Sequence, residues 1–105
     1  MRYDVYPNPV ASLSAAFPCV IEIQSDRHYM FAERVCVPLA KPDAFPGMTE
    51  RLNPALEVVG FKDNLHMHPF GITVFLQREL RGKLDNLQRQ ALRIDSAVEF
   101  LLRGY

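Results

Sequence analysis

The stretch LQRQALRIDSAVEFLLRGY, residues 87–105, decides how the rest of the chain is read. Leu87, Ala91, Ile94, Val98 and Leu101 recur at offsets of 4, 7, 11 and 14, which is one stripe of a helix. Asp85 or Asn86 stands where an N-cap accepts a bond from the free N–H groups of a first turn. Gly104 stands at the C′ position, where a left-handed residue closes a last turn at little cost. The spacing predicts an amphipathic helix that runs to Arg103, Gly104 and Tyr105. A helix carried that far is either only capped there, or its tip is a working surface.

Upstream of this helix the pattern is that of strands. FPCVIEIQSD, residues 17–26, sets Cys19, Ile21 and Ile23 against Val20, Glu22 and Gln24, a strand with one buried face that Ser25-Asp26 breaks. RVCVPLA, residues 34–40, is rich in β-branched residues and reads as a strand. RYDVY, residues 2–6, is a strand stopped by Pro7-Asn8-Pro9. Residues 41–54 read as a long connection with room for one helical turn. Residues 55–61 and 65–68 suggest a hairpin with Lys62-Asp63-Asn64 as its turn, and residues 71–77 a further strand. Five or six short, mostly antiparallel strands and a final helix make a mainly β, α+β chain. They close best as a small SH3-like barrel with the helix packed on it.

The chain has 105 residues, which suggests one domain, 1–105, long enough to bury a core without metal or disulfides. Twelve basic and 12 acidic residues balance, which argues against a general nucleic-acid binder. No run of 18 apolar residues predicts a membrane span, and the N-terminal segment has no apolar core of a secretory signal. A cytoplasmic protein is expected, in which Cys19 and Cys36 are buried thiols.

Three patterns invite a chemical reading. His66 and His68 at i, i+2 share a strand face and suggest metal, but only Asp63 and His28 are on offer as further ligands. Ser25, Asp26 and His28 are hydrolase residue types, yet they crowd one turn, where Ser and Asp bond their own backbone. Arg78, Arg81, Lys83, Arg89 and Arg93 place basic charge before and along the helix, as a ribonuclease of this size would need. None supplies a complete catalytic or metal constellation, so the residues point to an interaction protein without a cofactor.

IEIQSD, RVCVPLA, RLNP, QREL and the closing RIDSAVEFLLRGY, taken in order, resemble the CcdB family of toxins from type II toxin–antitoxin systems. The resemblance implies a homodimeric SH3-like barrel with a C-terminal helix, and no enzyme activity. It implies a toxin that binds the DNA gyrase A subunit and traps its cleaved-DNA complex. It further implies a cognate antitoxin that frees gyrase, and operator DNA bound only through that antitoxin. By motif, the gyrase contacts correspond to Arg27, His28, Glu99, Leu102, Arg103, Gly104 and Tyr105. Some CcdB proteins carry Trp where this chain has Arg103 and Ile where it has Tyr105. The alternatives are an mRNA endoribonuclease of the MazF/Kid class, and a CcdB-like domain that binds antitoxin but no longer poisons gyrase.

Overall fold

The sheet is built on one long strand. In a computed structural model, which describes residues 1–104, the strands are β1 (Asp4–Pro7), β2 (Cys19–Glu22), β3 (Glu33–Ala40), β4 (Ala55–Leu56), β5 (Leu65–Met67), β6 (Thr73–Leu76) and β7 (Asp85–Asn86). All pairings are antiparallel, in the order β4-β5-β3-β2-β1-β7, with β6 also on β3. One edge of β3 is shared: β6 pairs with Glu33–Cys36 and β5 with Leu39 and Ala40. Pro38 sits between them, where its missing N–H costs no ladder bond. Its carbonyl still accepts from the His68 N–H at 3.0 Å. Gly71 is required beside it, since a Cβ there would lie 2.5 Å from Pro38 Cγ.

The sheet curls into an antiparallel half-barrel, and the helix α1 (Ala91–Arg103) closes its concave face. Ile94, Ala97 and Leu87 meet Val5, Ile21, Val37, Leu39 and Leu56 there, all fully buried. Each such aliphatic side chain contributes about 2 kcal/mol by leaving water. The end strands β4 and β7 do not pair; side chains bridge the gap. Asp85 Oδ2 accepts from the Val59 N–H at 3.0 Å, Gln90 Oε1 from the Glu57 N–H at 3.2 Å, and Arg89 donates to the Glu57 carbonyl at 3.2 Å.

The strand reading needs one correction. β2 is buried on both faces, not one. Val20 belongs to a second cluster with Cys36, Phe75 and Leu80 on the outer face, with Tyr6 packed against it. Glu22, Asp4 and Arg34 are buried on that same face and carry its charge. Lys83 Nζ lies 3.6 Å from Asp4 Oδ1, and Arg34 Nε 3.9 Å from Glu22 Oε1. Burial, with Asp4 and Glu22 beside it, pushes the Tyr6 hydroxyl up to about 12.

Three element boundaries also differ from expectation. The helix enters through a 3-10 turn at Gln88–Gln90, and Asn86 Oδ1 accepts from the Gln88 N–H at 3.0 Å, so Asn86 shapes the approach to that turn and neither Asp85 nor Asn86 is the N-cap of α1. The β4–β5 hairpin forms, but its loop is the whole of residues 57–64. The connection 41–54 forms hydrogen-bonded turns rather than a helix, pinned by buried Asn53, whose Nδ2 donates to the Met67 carbonyl at 2.9 Å.

Candidate functional site

The turn after β2 and the first half of α1 are joined by Arg2. Its backbone N–H donates to Asp26 Oδ1 at 2.8 Å, and its Nη2 donates to Asp95 Oδ1 at 3.2 Å. Its guanidinium stands 5.0 Å from the centre of the Tyr3 ring. The Tyr3 hydroxyl donates to Asp95 Oδ2 at 2.8 Å, which fixes the same carboxylate from the other side. Burial first, and then this bond to Asp95, raise Tyr3 above the ordinary phenol range. Tyr3 holds φ at +71°, a left-handed backbone rare for a bulky side chain, where a turn aims the ring under the helix.

Asp26 opens a 3-10 turn, Asp26–His28, capped by Ser25 Oγ, which accepts from the Arg27 N–H at 3.3 Å. Ser25 and Asp26 therefore shape backbone, as turn residues do, and are not a catalytic pair. Arg27 and His28 face solvent from this turn. On the helix, Glu99 and Arg103 form an i, i+4 pair at 3.4 Å, and Leu102 is 73 % exposed. Gly104 takes φ +79° and its N–H donates to the Phe100 carbonyl at 2.8 Å, the C-terminal cap the sequence predicted. Nothing lies within 4 Å of a Cβ placed on Gly104, so the conformation, not crowding, demands glycine. Tyr105 lies outside the described residues.

Between these two segments is an open cleft of about 400 Å³, lined by Arg2, Ile23, Asp95, Val98, Glu99, Leu102 and Arg103. Three of the residues expected from the resemblance line it. Arg27 and His28 stand on the turn that Asp26 ties to Arg2. Sequence reasoning missed Arg2, Ile23 and Asp95; Asp95, one helical turn before Glu99, was the one readable signal. A slightly larger cleft, about 430 Å³, lies on the outer face between Leu13, Phe17, Pro38, His68, Ile72 and Phe75. It is apolar and touches none of the expected contact residues, so the helix-tip cleft is the candidate site.

The other chemical patterns resolve into structure. His66 Nδ1 is 3.1 Å from the Asn53 carbonyl oxygen, while His68 packs among Phe17, Phe45 and Phe70 with its basicity lowered by burial. Among the described residues no three His, Cys, Asp or Glu side chains are grouped to hold a metal ion. The basic residues are largely neutralised: Arg89 is bidentate on Asp85, Arg93 pairs with Glu50 and Lys83 with Asp4. Cys19 and Cys36 lie on opposite faces of the sheet and are free thiols. No described helix is long and apolar enough to cross a membrane.

No curated protein matches the chain. The family described as CcdB protein matches it over residues 2–104. A curled antiparallel sheet with a capped C-terminal helix, together with a match over nearly its whole length, makes the chain a member of the CcdB family, the toxins of toxin–antitoxin systems.

Proposed function

We propose that the chain, residues 1–105 acting as one unit, binds the A subunit of DNA gyrase, traps its cleaved-DNA complex and is released by a cognate antitoxin. It does this by contact, without catalysis or cofactor, in the cytoplasm and as a homodimer, and it reaches operator DNA only through the antitoxin. The contact residues are Arg27, His28, Glu99, Leu102, Arg103, Gly104 and Tyr105. The observation that carries this reading is the Arg2 staple, which holds Asp26 and Asp95 at once and so joins the Arg27–His28 turn to the helix face. Two such surfaces in a two-fold dimer suit a two-fold target. A ribonuclease finds less support, because Arg89 and Arg93, the i, i+4 basic pair at the start of the C-terminal segment, are engaged by Asp85 and Glu50.

The test is expression from an inducible promoter in bacteria, with and without residues 103–105, beside a cleavage assay on purified gyrase. The full chain is expected to arrest growth and to accumulate cleaved DNA. The truncated chain is expected to do neither while unfolding at the same temperature, because the deletion touches only the last helical residue and beyond. Poisoning that survives truncation overturns the site, and arrest without gyrase cleavage overturns the target.

A further inference from the structure

The turn that carries Arg27 and His28 continues into Tyr29, Met30 and Phe31, which are 71, 74 and 56 % exposed. Three consecutive large apolar side chains in water are costly unless something else covers them. Their backbone is not loose. Arg34, buried beneath, donates to the Tyr29 carbonyl at 2.8 Å, to the Glu33 carbonyl at 2.9 Å, to the Phe31 carbonyl and to Gln77 Oε1 at 3.3 Å. Gln24 Nε2 reaches the His28 and Glu33 carbonyls at 3.4 and 3.1 Å. The Phe31 N–H closes a turn onto the His28 carbonyl at 3.1 Å. A loop that only joined β2 to β3 would need no buried guanidinium, whose desolvation has to be offset by Glu22 and these carbonyls.

We propose that Tyr29, Met30 and Phe31 form a preorganised anchor of the same gyrase contact, with Arg34 as the positioning residue that presents them. The inference rests on the gyrase reading above and extends its surface beyond Arg27 and His28. Rigid aromatic and Met side chains are what interface centres use, and a loop already fixed loses little freedom on docking. Charge narrows the partner. Arg27 precedes the anchor, and Arg78 follows Gln77, whose N–H donates to the Ala32 carbonyl at 2.8 Å. Neither arginine has an ion pair among the described residues. The receiving surface is therefore an apolar pocket with an acidic rim on the target protein.

The experiment titrates purified gyrase A subunit with the wild-type chain and with the triple variant Tyr29→Ser/Met30→Ser/Phe31→Ser, by calorimetry. The variant is expected to keep its melting temperature and sedimentation coefficient and to bind at least about 30-fold more weakly. Binding within threefold of wild type overturns the anchor and leaves the gyrase reading standing. No binding by the wild type takes down both. A shift from dimer to monomer assigns the loop to a second copy instead, and loss of antitoxin rescue with gyrase affinity intact assigns it to the antitoxin; either overturns the proposal. Arg34→Lys keeps the charge beside Glu22 but cannot reach three carbonyls at once. It is expected to speed amide exchange across residues 28–32 and to weaken binding about tenfold. Unchanged exchange and affinity overturn the positioning role.

Discussion

The two cysteines show what the sheet does to a single side chain. Burial pushes Cys19 up to about 11 and Cys36 up to about 12, the latter with Glu22 adding to it. The thiolate is the reactive form, so both are silent at neutral pH. A chromogenic disulfide reagent at pH 8 is expected to modify neither in the native protein and both in guanidinium chloride. A native thiol that reacts at the free-cysteine rate would contradict this burial. Their fate was legible in the sequence, because each lies inside an apolar run. The neighbouring Glu22 was not. Alternation assigned it to solvent, since nothing local announces that Arg34, twelve positions on, will share its burial.

At the scale of elements, α1 is the best-written part of the chain. Its stripe was legible because helical periodicity needs no partner to be seen. Ala97 escaped the stripe although it is fully buried, and the 3-10 entry at Gln88–Gln90 escaped because it depends on the bridge to Glu57. β4 was expected within residues 55–61 but is only two residues long, and β7, also two residues, escaped as a strand of its own, since register is set by distant partners. Ile94→Ala is expected to cost about 3 kcal/mol in urea unfolding, since it opens a cavity between helix and sheet. Leu92→Ala, on the exposed face of the same helix, is expected to change stability by less than about 0.5 kcal/mol. Equal effects would mean that the helix is seated on a different face.

At the scale of the molecule, the open seam between β4 and β7 makes stability depend on acid. The Arg89 guanidinium, together with the Val59 and Asn86 N–H groups, holds the Asp85 carboxyl down to about 2, against an ordinary 3.8. A depressed carboxylate stabilises the fold above its unfolded value, and that stability drains as pH falls from about 4 through about 2. Asp85→Asn is expected to lose about 1 kcal/mol at pH 7, allowing for solvent around Arg89, and to show a flatter stability profile between pH 4 and 2. Parallel profiles would place the acid sensitivity elsewhere. The Arg2 staple has a different consequence, one for the target. It couples the turn after β2 to the first half of α1, so that Asp26 and Asp95 set how that turn stands against the helix. Such a coupling favours a partner whose two contact points match that spacing. On the proposed gyrase contact, a change of spacing in the docking site would then weaken binding without changing any residue's chemistry.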